Sequence, residues 1–251
     1  MKFLLTAVLA AVLVFTLTSC RKREYHVDIQ PSETAAAPVE TTQPSVTETT
    51  AAATEPIPET TEATLPPELA DADFARVLDY IPTASQELFY ATENNFTGHQ
   101  IYEFVEVYLR YGTVKKLMLV AQELEQQGLY LKIWDGFRPV SAQFKLWEIY
   151  PNSTYVANPN KGYSNHSRGN AVDLTLVDAE GKELEMPTGF DDFSGKADRN
   201  YSDATPEAAA NAKLLEDTMQ KYGFQGYYGE WWHFNDTDSY PVEKEFEPCV
   251  G

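Results

Sequence analysis

Residues 30–65 are built mainly from threonine, alanine, proline and glutamate, and that stretch limits how much of the chain can fold. It has almost no large apolar side chains, so it cannot bury enough surface to offset the entropy of ordering its backbone. Its prolines and mutually repelling carboxylates predict an extended, disordered stalk over residues 21–66. A core is therefore expected only from residues 67–251, which hold nearly all the aromatic residues. That length suffices for one domain.

The segment ahead of the stalk has its own signature. Met1 and Lys2 precede an apolar run over residues 3–17, then Thr18, Ser19 and Cys20. The run is short for a membrane span and reads as a signal peptide. Leu17-Thr18-Ser19-Cys20 resembles the lipobox of bacterial lipoproteins, which implies a signal over residues 1–20 and acylation of Cys20. An uncleaved N-terminal anchor is the other reading. Either one places the folded domain outside the cytoplasm, tethered to a membrane. The formal net charge of -19 argues against nucleic acid as a partner through Coulomb repulsion and leaves a small, neutral or zwitterionic one.

Within the folded part, Val114, Leu117, Met118, Ala121 and Leu124 recur at helical spacing, and Gly128 is a suitable terminator. Residues 129–134 are short, apolar and aromatic like a strand, with Asp135-Gly136 marking a turn. Pro139 then opens a helix containing Phe144, Leu146, Trp147 and Ile149. Residues 171–176 alternate, which sets Asp173 on the face opposite Val172, Leu174 and Leu176. Thr205 and Pro206 start a helix carrying Ala208, Ala212, Leu215 and Met219, closed by Gly223. Residues 227–234 read as a turn feeding a strand. The order lacks a regular βαβ rhythm, so the expected class is α+β, a mostly antiparallel sheet flanked by helices.

Two stretches carry the chemistry. Ser164-Asn165-His166-Ser167-Arg168-Gly169-Asn170-Ala171-Val172-Asp173 brings a loop histidine, a glycine bend and a strand aspartate into sequence. Glu230-Trp231-Trp232-His233 adds a second imidazole and a carboxylate among aromatics. A catalytic zinc takes three protein ligands, most often histidines with a carboxylate, and keeps one position open. Of the four histidines, His26 lies at the edge of the stalk and His99 has no carboxylate at a suggestive spacing, leaving His166 and His233. Each stretch alone has a plainer reading, the first as a hydrogen-bonded surface turn and the second as a core edge. Glu230 is a ligand or a base on spacing alone.

Together, Ser164-x-His166-Ser-Arg-Gly169-x-Ala-Val-Asp173 and Glu230-x-Trp-His233 resemble the zinc D-alanyl-D-alanine dipeptidases of the VanX type. Tyr90, Asn95-Phe96-Thr97-Gly98, Trp134-Asp135-Gly136-Phe137-Arg138-Pro139 and Phe190-Asp191 extend the resemblance in the same order, over roughly residues 80–236. It implies one zinc ion held by His166, Asp173 and His233, with Glu230 as catalytic base. It implies that Arg138 stabilises the transition state, and that Ser164, Tyr90, Asp191 and Asp173 surround the substrate's free amino group. The implied reaction is hydrolysis of D-Ala-D-Ala into two D-alanines. A D,D-carboxypeptidase acting on stem peptides and a peptidoglycan-binding lipoprotein without activity are the alternatives. The cytoplasmic members of that family lack a signal and stalk, and the connection from Arg138 to Ser164 is shorter here, which would leave a more open cleft.

Overall fold

A computed structural model describes residues 66–249; the signal, Cys20 and all of the stalk but Pro66 lie outside the described residues. The periodic stripe becomes helix α2 (Tyr111–Glu125), which buries Val114, Leu117, Val120, Ala121 and Leu124. Gly128 takes φ 71°, a left-handed conformation suited to glycine, and turns the chain into strand β4 (Tyr130–Asp135). The predicted helix after Pro139 is α3 (Val140–Ile149). Its inward face is Ala142, Gln143 and Leu146, while Phe144 and Ile149 are exposed.

Strand β5 (Ala171–Val177) departs from the expected half-polar pattern, because all seven residues are buried. It is the middle strand, flanked by neighbours on both sides. Val172, Leu174 and Leu176 join the core with Leu117, Leu124, Leu215 and Met219, and Asp173 lies on the other face. Helix α4 (Pro206–Lys221) starts where Thr205 accepts a hydrogen bond from Ala208 N at 3.1 Å, and Gly223 follows with φ 89°. The last two strands form a hairpin, β6 (Phe224–Tyr227) and β7 (Glu230–Asp236), of which the sequence pattern shows only β7.

The short elements β1 (Phe74–Arg76), α1 (Val77–Tyr80), β2 (Ser85–Gln86) and β3 (Tyr108–Arg110) complete the fold. The main sheet has the order β2-β4-β5-β7-β6, and only the β2–β4 pair is parallel. Strands β1 and β3 form a separate antiparallel ribbon. Helices α2 and α4 pack on each other and on the sheet. The architecture is thus the expected α+β domain with a mostly antiparallel sheet.

Candidate metal centre and cleft

Sheet register builds the centre. Asp135 of β4 lies opposite Asp173 of β5, and Asp173 lies opposite His233 of β7. Residues directly opposite one another project from the same face, so these three side chains form one row across the sheet. His166 reaches the row from a short 3-10 turn, His166–Arg168, just before β5. Gly169 ends that turn with φ 75°, and a Cβ there would lie 2.5 Å from the Phe74 ring, so both conformation and space call for glycine.

His166, Asp173 and His233 form the only group of potential metal ligands of this kind among the described residues. His233 Nδ1 is 2.9 Å from Asp173 Oδ1, His166 Nε2 is 3.3 Å from Asp173 Oδ2, and the two ring nitrogens are 3.2 Å apart. Four-coordinate zinc with bonds of roughly 2.0–2.2 Å sets its donors about 3.3–3.5 Å apart, close to these spacings. Proton placement agrees. His166 Nδ1 donates to Gly136 O at 2.7 Å. His233 Nε2 lies 3.0 Å from Asn235 Oδ1, which also accepts from Asn165 Nδ2 at 2.8 Å. With each remote nitrogen holding the proton, His166 Nε2 and His233 Nδ1 turn bare lone pairs toward each other and toward a carboxylate. That constellation calls for a cation, and its donors suit zinc.

The trio sits in a cleft of about 340 Å³. Tyr90, Arg138, Ser164, Asp191 and Glu230 line it as well, so the structure brings together all eight residues singled out from the sequence. Glu230 Oε2 is 4.0 Å from His233 Nδ1, beside the trio. Tyr90 donates to Asp191 Oδ2 at 2.8 Å. Ser164 Oγ accepts from His166 N at 3.2 Å. Ser153, Thr154, Tyr155, Val156 and Ala157, from the connection between Arg138 and Ser164, also line the cleft. His99 is exposed and outside it, and His26 lies outside the described residues.

The sequence model of the D-Ala-D-Ala dipeptidases, peptidase family M15, matches residues 70–249. The chain belongs to that family. It is 38% identical over 170 residues to a D-alanyl-D-alanine dipeptidase of Escherichia coli (strain K12), covering 67% of this chain and 88% of that protein. Proteins of the same name from Enterococcus faecium and Enterococcus faecalis (strain ATCC 700802 / V583) are 33% and 34% identical, covering 58% and 61% of this chain and 82% and 86% of their own lengths.

In this member of the dipeptidase family, Arg138 is held by partners that spacing alone did not reveal. Its Nη2 and Nε donate to Asp135 Oδ2 at 2.6 and 3.2 Å, and its Nη1 donates to Gln143 Oε1 at 3.0 Å. Asp135 Oδ1 in turn accepts from Tyr102 Oη at 2.8 Å and Gly136 N at 2.9 Å. Asp135 is therefore no mere turn marker but a fully buried strand residue that aims the arginine. A guanidinium carries five N–H groups, so Arg138 keeps spare donors for the cleft.

Burial dominates the electrostatics. It pushes Asp191 up to about 7, against the Tyr90 hydrogen bond and with the nearby Asp173 charge. It likewise pushes Glu230 up to about 7, opposed by His233 and reinforced by Asp173 and Asp191. For Asp173 burial also opposes ionisation, but positive charge at the facing His166 and His233 nitrogens, where in the metal-free site a proton takes the cation's place, outweighs it and holds the carboxyl well below its usual range.

Proposed function

We propose that the protein is a zinc-dependent dipeptidase that hydrolyses D-Ala-D-Ala into two D-alanines, with His166, Asp173 and His233 holding one zinc ion. The observation that carries this reading is Glu230 standing beside the trio without joining it, 4.0 Å from His233 Nδ1. When bound, zinc supplies Lewis acidity and lowers the pKa of coordinated water to about 7. Glu230, a carboxylate standing beside the trio and outside it, is placed to take the proton from that water and return it to the leaving amine. Arg138, paired to Asp135 and lining the cleft, has spare donors that would meet the carbonyl oxygen as it gains charge. One such preorganised donor is typically worth about 3 kcal/mol.

Asp191 and Tyr90 favour the dipeptidase over the carboxypeptidase. A half-buried, largely desolvated carboxylate hydrogen-bonded to a phenol suits a positively charged partner, and the free amine of a dipeptide supplies one. Ser164 borders the same cleft. Attachment outside the cytoplasm through an acylated Cys20 belongs to this reading and is supported by the lipobox-like sequence. Among the described residues no helix is long and apolar enough to cross a membrane.

Mass spectrometry of products from the zinc-loaded protein tests the proposal, with D-Ala-D-Ala, L-Ala-L-Ala and a stem pentapeptide as substrates. Cleavage of D-Ala-D-Ala in preference to the other two is expected. Cleavage of the pentapeptide alone would make the protein a carboxypeptidase.

A further inference from the structure

The β6–β7 hairpin carries both Glu230 and His233, yet the sheet secures them unequally. His233 pairs directly with Asp173 of the central strand, whereas Glu230 is paired only to Tyr227 of edge strand β6, next to a register shift at Gly226 and Tyr227. A bulge of this kind leaves backbone groups without ladder partners and lets a strand end reorient. Something else must hold the turn that aims Glu230.

Arg199 occupies that position. Its Nε donates to Tyr227 O at 2.9 Å and its Nη2 to His233 O at 2.9 Å. Its own backbone N–H donates to Tyr228 O, also at 2.9 Å. The guanidinium lies 4.4 Å over the Phe234 ring, and its side chain is only 6% exposed. Its remaining arm faces Tyr201 Oη at 3.4 Å and Glu216 Oε2 at 3.9 Å, and the Glu216 carboxylate balances the charge. Gly226 completes the fit, because a Cβ there would run into the guanidinium. One side chain thus ties together both strands of the hairpin, and with its backbone it captures a carbonyl on each side of the turn's start.

We propose that Arg199 is a positioning residue for the hydrolysis, which fixes the β6–β7 turn and so holds Glu230 at its working distance from the metal ligands. This rests on the assignment of Glu230 as base. Arg199 does not itself line the cleft; it holds the backbone carbonyls of two residues that do, Tyr227 and His233, and its effect falls on Glu230 more than on the His233 ring, which the ladder to Asp173 and the Asn235 contact also secure.

The test compares full-length wild type, Arg199→Lys and Gly226→Ala. Lysine keeps the charge but cannot span both carbonyls; Gly226→Ala retains the arginine but its Cβ pushes the guanidinium off the two carbonyls. Both variants should bind one zinc with affinity within about threefold of wild type by chelator competition. Both should show faster amide hydrogen exchange at residues 226–230 with little change at 171–173. With D-Ala-D-Ala, kcat should fall roughly 10- to 100-fold while KM stays within about threefold. Wild-type kcat with unchanged exchange would overturn the proposal. So would variants that lose zinc or fail to fold, since Arg199 would then be a structural residue only. If wild type itself leaves D-Ala-D-Ala intact, the functional reading fails, and the exchange and zinc measurements still decide whether Arg199 fixes the turn.

Discussion

Replacing Asp135 by asparagine tests how Arg138 is aimed. All four groups bonded to this carboxylate are donors: Arg138 Nη2 and Nε on Oδ2, Tyr102 Oη and Gly136 N on Oδ1. An asparagine of the same shape has one acceptor oxygen, so in either orientation its NH2 must face donors. If the NH2 faces Arg138, a buried guanidinium loses the carboxylate paired with it, a change that costs about 3–5 kcal/mol. If it faces the other way, Tyr102 can rotate its hydroxyl but Gly136 N–H is orphaned, which costs about 1–3 kcal/mol in addition to the lost charge. Asp135→Asn should therefore destabilise the zinc-loaded protein by about 2–5 kcal/mol in urea unfolding. Because the arginine is no longer held, kcat on D-Ala-D-Ala should fall about 100- to 1,000-fold. Tyr102→Phe keeps the Arg138–Asp135 pair but removes the 2.8 Å bond to Asp135 and the longer 3.3 Å bond from Arg138 Nε, and should cost about 1.5–3 kcal/mol with a smaller loss of kcat. A loss under about 1 kcal/mol with wild-type kcat in Asp135→Asn would refute the reasoning.

Glu230→Gln should retain one zinc by metal analysis and lose hydrolysis, and an active variant would remove Glu230 from the base role; His166→Ala should lose the metal, and full occupancy would contradict the ligand set. Asp191 has a folded pKa of about 7 against an ordinary 3.8, so its contribution favours the folded state below about pH 4 and is lost as pH rises through 7. Melting temperatures of the metal-free protein between pH 4 and 8 should accordingly fall more steeply in wild type than in Asp191→Asn, and parallel curves would argue against a buried, uncompensated carboxylate. Gly169→Ala forces a β-carbon into a left-handed backbone and against Phe74, so it should destabilise by about 1–3 kcal/mol and weaken zinc in chelator competition; an unperturbed melting curve would mean that the turn can relax.

The helices were legible because their signals are local. The apolar stripe of α2 and the Thr205-Pro206 start of α4 both operate within a few residues, and both helices lie where those signals place them. Strands β1, β2 and β3 span two or three residues and depend on distant partners, such as Phe74 opposite Arg110 and Ser85 opposite Lys132, so no window of sequence reveals them. The alternation of β5 marked its two faces correctly but not their burial, which depends on the strand's central place in the sheet. The trio and its surrounding residues were legible from spacing together with the resemblance. Asp135 was hidden because Asp-Gly is also a turn signal. Arg199 was hidden because its partners are carbonyl groups, which leave no trace in side-chain patterns.

The pairing of Asp173 with His233 has a consequence for the integrity of the fold. These residues are 60 positions apart, and the chain between them leaves the sheet to form α4 and rejoins it at the far edge as β6 before turning into β7. An ion shared by Asp173 and His233 is a cross-link that closes this long excursion at the seam between β5 and β7. Closing a loop of that length otherwise costs entropy, and a ligand bound only by the folded state at 1,000 times its Kd adds about 4 kcal/mol. Resistance to unfolding and catalytic competence would then rise and fall with the same metal supply, and a chain stripped of its ion would be a looser target for proteolysis as well as an inactive enzyme.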